Sequence, residues 1–99
     1  MDYRVTLSRP APRDLGKIAR YIAQDNPDAA LRVGNDLMAL SESLTVLPRR
    51  GGVFRARLGV RRLVQAPYLV TYRIDETQRV VYVLRFWRAR RDSQNWRPE

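Results

Sequence analysis

Apolar and polar residues alternate over Tyr3-Arg4-Val5-Thr6-Leu7, the period of a half-buried strand. Ser8 then fits the N-cap of a helix. Pro10 and Pro12 suit its first turn, where backbone N–H groups have no intrahelical partner. Ala11, Leu15, Ile18 and Ile22 recur at helical spacing and make one apolar stripe, with Arg13, Asp14, Lys17, Arg20 and Gln24 assigned to the opposite side. Asp25-Asn26-Pro27 ends this helix and opens another: Asn26 is a favourable N-cap and Pro27 a favourable first helical residue. Ala30, Val33, Leu37, Leu40 and Leu44 form the second stripe, and Pro48 stops it near Leu47. Two helices joined this closely predict an antiparallel αα-hairpin.

After Gly51-Gly52 the period becomes that of strands. Val53–Leu58 is expected as a short strand ended by Gly59, and Val60–Gln65 as the next. Ala66-Pro67 makes a turn. Tyr68–Ile74 follows with Tyr68, Val70, Tyr72 and Ile74 on one face. Asp75-Glu76-Thr77-Gln78 is a polar turn. Arg79–Phe86 is apolar on both faces and is expected at the centre of the sheet. The remainder, from Trp87, is a polar, arginine-rich tail. These elements predict an α+β domain over residues 1–99: an N-terminal strand and an αα-hairpin packed on a mostly antiparallel sheet of four to five strands. The first strand is flanked by a helix, so its partner must be a later strand.

Composition narrows the chemistry. The chain has 99 residues, no cysteine and no histidine, which removes thiolate nucleophiles, disulfides and the commonest acid–base group and metal ligand. No metal or cofactor is expected. The longest apolar run, Val80–Leu84, is far below the roughly 18 residues of a membrane-spanning helix, and no export signal follows Met1, so a cytoplasmic protein without a membrane partner is expected. The net charge is +9, and 18 of the 19 basic residues are arginine. Residues 1–42 carry six basic and six acidic groups, whereas residues 43–99 carry 13 basic and four acidic groups. Arginines coating a solvated surface would explain the number. The asymmetry favours a one-sided field for a polyanionic or acidic partner.

The order and spacing of several segments resemble the RelE/ParE family of toxins from bacterial type II toxin–antitoxin modules. The carrying residues are Tyr3–Ser8, Asp14-Leu15-Gly16-Lys17-Ile18 with Tyr21-Ile22-Ala23, Asp25–Ala30, Gly59–Val64, Pro67–Ile74 and Val83–Arg91. The resemblance covers nearly the whole chain and is closest to the ParE branch. It implies the fold deduced above and a toxin neutralised by an antitoxin whose C-terminal segment wraps it. RelE-like members cut mRNA on the ribosome. ParE-like members act on DNA gyrase and stall its cleaved-DNA state.

Metal-free RNA cleavage needs a base for the 2′-hydroxyl, a proton donor for the leaving oxygen and cations for the phosphorane. The only lysine, Lys17, lies on the first helix. Where many family members have a histidine after the last strand, this chain has Arg88, and arginine is too basic to accept a proton at neutral pH. A nuclease would have to be built from Arg62, Arg73, Arg85 and Tyr82 (or Tyr72). A gyrase poison needs a binding surface and no catalytic residue, so this reading is preferred; the alternatives are the RelE-type nuclease and a toxin fold whose activity is weakened, as Arg88 in place of the histidine would suggest. Candidate target contacts are Arg62, Arg73, Arg85, Trp87, Arg88, Arg90, Arg91 and Trp96. Arg62, Arg73 and Arg85 serve equally as target contacts or as partners of Asp75, Glu76 or a helix carboxylate. Trp87 is more readily packing than a stacking platform. The expected partners are a ParD-like antitoxin with an acidic C-terminal segment, in a toxin–antitoxin hetero-oligomer, and DNA gyrase. Promoter DNA is reached only through the antitoxin. Apolar helix positions outside the stripes, Tyr21, Leu31, Met38 and Val46, are candidate antitoxin contacts.

Overall fold

Five strands form one mixed sheet in the order β1-β5-β4-β3-β2, with β1 Arg4–Leu7, β2 Gly52–Val53, β3 Arg61–Gln65, β4 Tyr68–Asp75 and β5 Val80–Arg88. The computed structural model describes residues 2–54 and 57–88. The three pairs among β2, β3, β4 and β5 are antiparallel, and β1 lies parallel to β5. A parallel pair needs a long crossover, and the two helices lie within it. The expected later partner of the first strand is therefore β5. This strand extends two residues past the expected end at Phe86, so Trp87 and Arg88 belong to the sheet and not to the tail.

Helix α1 spans Pro10–Ala23 and α2 spans Pro27–Glu42. Asn26 caps α2 as expected: its side-chain oxygen accepts from the Ala29 N–H at 3.0 Å. Ser8 does not cap α1. Its hydroxyl instead donates to the Leu84 carbonyl at 2.5 Å, while its own carbonyl accepts the Ala11 N–H. The physical reason is the sheet edge. Strand β1 ends at Leu7, which leaves the edge of β5 beyond Val83 without a neighbouring strand, and a backbone carbonyl there competes for the hydroxyl.

One face of the sheet carries the αα-hairpin. Ala11, Leu37, Val70, Val83 and Phe86 make the main cluster there, and Tyr3, Leu44, Leu63, Tyr72 and Val81 continue it. Tyr68, Val70, Tyr72 and Ile74 all face this side, as the alternation along β4 predicts. The other face is only partly bare. Phe54, Val60, Leu69, Leu84 and Trp87 form a second, smaller core on it. Of the expected strand Val53–Leu58 only Val53 lies in β2, and Phe54 beyond it packs onto the sheet. Phe54 N–H returns to the Val60 carbonyl at 2.8 Å, closing a loop whose Gly59 adopts a φ of 79°. Leu84 and Trp87 pack under this loop, which is why β5 is apolar on both sides.

The β3–β4 pair is tied to the segment following α2 by Tyr72. Its hydroxyl donates to the Pro48 carbonyl at 2.7 Å and accepts the Gly51 N–H at 3.0 Å. A Cβ on Gly51 would stand 2.5 Å from both the Tyr72 hydroxyl oxygen and the Arg62 carbonyl, so glycine is required by this close approach.

Candidate functional site

Cross-strand partners share a face, so register sorts the candidate residues. Arg62 lies opposite Thr71, and Arg73 lies opposite Tyr82. On β1, Val5 and Leu7 pack toward the helices, which turns Arg4 and Thr6 to the helix-free side. Thr6 sits opposite Tyr82. The uncovered half of this face therefore presents Arg62, Arg73 and Arg4 from three strands, with Thr6 and the half-buried Tyr82 between them. Beside them Arg73, Asp75, Glu76 and Tyr82 line a hollow of about 310 Å³. All three arginines are exposed, and their side chains make no hydrogen bond or ion pair among the described residues.

The carboxylates near this face are already engaged. Asp75 accepts the Gln78 N–H at 3.0 Å. Glu76 accepts the Tyr3 hydroxyl and pairs with Arg49. Arg79 stacks over the Tyr3 ring at 4.5 Å from its centroid, so the N-terminus, the β4–β5 turn and the segment after α2 meet in one cluster.

Arg85 behaves differently from Arg62 and Arg73. A register shift between Thr71 and Tyr72 marks a bulge on β5, and there its guanidinium meets Asp14 of α1. The pair is bidentate, Nε to Oδ2 at 2.6 Å and Nη2 to Oδ1 at 2.9 Å. Asp14 Oδ2 also accepts the Phe86 N–H at 3.2 Å. Asp14 is buried, which corrects its assignment to the outer side of α1. It stands three residues from Ala11 and four from Ile18, within the buried stripe, and that spacing was the available signal. The open alternative for Arg85 thus resolves as pairing with a helix carboxylate.

Trp87 is 4% exposed, with its ring centroid 5.6 Å from that of Phe54, and belongs to the second core. Arg88 lies opposite Tyr68, on the helix-bearing side and away from Arg62 and Arg73. Arg90, Arg91 and Trp96 lie outside the described residues. Of the candidate antitoxin contacts, Tyr21, Leu31 and Val46 are exposed, whereas Met38 is half-buried against the main core. Tyr21 and Leu31 flank the interhelical turn. Val46 follows the far end of α2, roughly 20 Å away at 1.5 Å per residue.

The ionisation of Tyr72 is clearly displaced. Burial raises its pKa from 10.0, partly offset by the Gly51 N–H and by Arg61 and Arg50. It points to the helix side, so it stands apart from the open face and from Tyr82. No cluster of carboxylates able to hold a metal ion occurs among the described residues. No described helix is long and apolar enough to cross a membrane.

Comparison with known proteins agrees with this architecture. The family model described as ParE toxin of type II toxin–antitoxin system, parDE, matches residues 5–93. Toxin RelE1 of Caulobacter vibrioides is 31% identical over 90 residues, covering 88% of this chain and 94% of that protein. The solved toxin–antitoxin complex RelBE2 of Mycobacterium tuberculosis aligns with a TM-score of 0.69 and 26% identity, over 89% of this chain and 99% of that one. The chromosomal ParDE system of P. aeruginosa aligns with a TM-score of 0.73 over 87% of this chain and 95% of that one, and at 23% identity shows the fold alone. The chain belongs to the ParE toxin family of the RelE/ParE superfamily, and is the toxin of a type II toxin–antitoxin module.

Proposed function

We propose that this toxin binds DNA gyrase and holds the enzyme in its cleaved-DNA state, without catalysing a reaction of its own. The observation that carries the reading is the chemistry of the open face. It offers unpaired arginines, which stabilise negative charge, while the carboxylates beside them are engaged elsewhere, Asp75 by the Gln78 N–H and Glu76 by Tyr3 and Arg49. Tyr82 is half-buried among packed side chains, and Tyr72 is buried on the other side with its proton held more tightly than usual. Such a face fits a binding surface better than a nuclease centre.

A ParD-like antitoxin is the proposed neutralising partner, as the solved RelBE2 complex supports. The strand-bearing part of the chain favours an acidic antitoxin segment: residues 43–88 hold ten basic and two acidic groups. We place this toxin–antitoxin assembly in the cytoplasm, with promoter DNA contacted through the antitoxin.

The test is incubation of the purified toxin with gyrase, supercoiled plasmid and ATP, followed by detergent and protease. Linear plasmid that requires both proteins is the expected product. A second reading draws on the likeness to Toxin RelE1 and on the placement of Tyr82 opposite Arg73: ribosome-dependent mRNA cleavage using Arg62, Arg73, Arg85 and Tyr82. Unimpaired gyrase together with cut mRNA in a translation reaction would establish it instead.

A further inference from the structure

The two layers of the molecule differ in charge. Residues 10–42, which form the helical layer, hold four basic and five acidic groups. Residues 43–88, which supply four of the five strands, hold ten basic and two acidic groups. The field of the protein therefore points out through the sheet. Arg4, Arg62 and Arg73 stand where that field emerges. Arg62 and Arg73 are diagonal neighbours, a relation that separates Cα atoms by about 7–8 Å. The hydroxyls of Thr6 and Tyr82 lie between Arg73 and the β1 edge, in the same row of the sheet.

We infer that this face binds the phosphate backbone of duplex DNA directly, through Arg4, Arg62 and Arg73. The inference rests on the proposed action at cleaved DNA and names what the toxin touches there. Duplex is favoured over single-stranded RNA by the state of the aromatic residues. Sequence-tolerant binding of single strands uses exposed aromatic rings as stacking platforms. Here Trp87 is sealed in the second core beside Phe54, and Tyr82 is packed against that same core. Beside Asp75, whose carboxylate accepts the Gln78 N–H, the open face presents cations and hydroxyls, the set that contacts phosphates along a duplex. Neither nearby carboxylate pairs with these arginines: Asp75 accepts the Gln78 N–H, and Glu76 is taken by Tyr3 and Arg49.

Fluorescence anisotropy with the full chain and a labelled 20-base-pair duplex, titrated across salt concentrations, tests the inference. Each phosphate contact adds about 0.9 to the steepness of log K against log salt. The triple variant Arg4→Gln, Arg62→Gln, Arg73→Gln should be shallower by about 2.7. Over a fourfold rise in salt, the native chain should thus lose about forty-fold more affinity than the variant. A second triple variant, Arg13→Gln, Lys17→Gln, Arg20→Gln, removes the same charge from exposed positions of α1 and should keep the native slope. An unchanged slope in the sheet variant, or an equal loss in the helix variant, overturns the inference. Tighter binding of a single-stranded RNA through the same three arginines also overturns it, in favour of RNA. Circular dichroism checks that both variants are folded. Failure of the plasmid assay with the slopes as expected would remove gyrase alone. Gyrase-dependent cleavage with a flat sheet-variant response would remove this face alone.

Discussion

Asp14 shows how one side chain joins two layers. Its carboxylate closes a bidentate pair with Arg85 and takes the Phe86 N–H, an edge donor that β1 is too short to reach. Asp14→Ala removes the side-chain acceptor of the Phe86 N–H and the carboxylate facing a guanidinium that is only 25% exposed. Loss of one partner from such a pair destabilises by about 3 kcal/mol. For a chain of this size the melting temperature should fall by roughly 12 °C or more. Arg85→Ala should lower it similarly. An unchanged melting temperature with abolished toxicity would instead make Arg85 a target contact. Pattern reading placed Asp14 outside because a charge counts as solvent-facing until its partner is known, and that partner lies 71 residues away.

Among the elements, the helices were the most legible, because their evidence is local. The α1 and α2 stripes and the Asn26-Pro27 start sit within a few residues of the bonds they make. The β2–β3 segment was the least legible. Phe54 and Val60 are held by a second core on the far side of the sheet, and two anchors spaced this way leave no strand period in the sequence. Trp87 is a packing residue, as expected, but its place in the sheet was not legible, because it precedes polar residues and its packing partners lie earlier in the chain. Tyr72 secures the neighbouring segment to the sheet. Tyr72→Phe leaves the Gly51 N–H and the Pro48 carbonyl without this partner, and should destabilise by about 1–3 kcal/mol. The phenol also predicts a pH effect. Above about pH 10 the unfolded chain gives up this proton while the folded chain retains it, so stability declines as pH rises past that point. Thermal melts from pH 8 to 11 should show a smaller decline for Tyr72→Phe than for the native chain.

At the scale of the whole molecule, the charge asymmetry visible along the sequence becomes a separation between layers once the fold is known. Composition announced the cations. Only register distinguishes Arg4, Arg62 and Arg73, which are unpaired on the open face, from Arg85, which is neutralised. Arg4 went unnoticed because it sits in the balanced half of the chain. The tail is best tested by ending the chain after Arg88, which keeps β5 whole. Far-UV circular dichroism should stay native-like and growth arrest on expression should be lost. Persistent arrest would remove Arg90, Arg91 and Trp96 from the target contacts. The strand order carries a consequence for biosynthesis. Strand β5 comes after every other described element in the chain, yet it lies between β1 and β4 and supplies both cores. Until a ribosome has released Arg88, the nascent toxin lacks the strand that joins its N-terminal strand to the rest of the sheet. Translation that aborts earlier therefore yields a fragment in which neither core is complete and β1 has no strand to pair with.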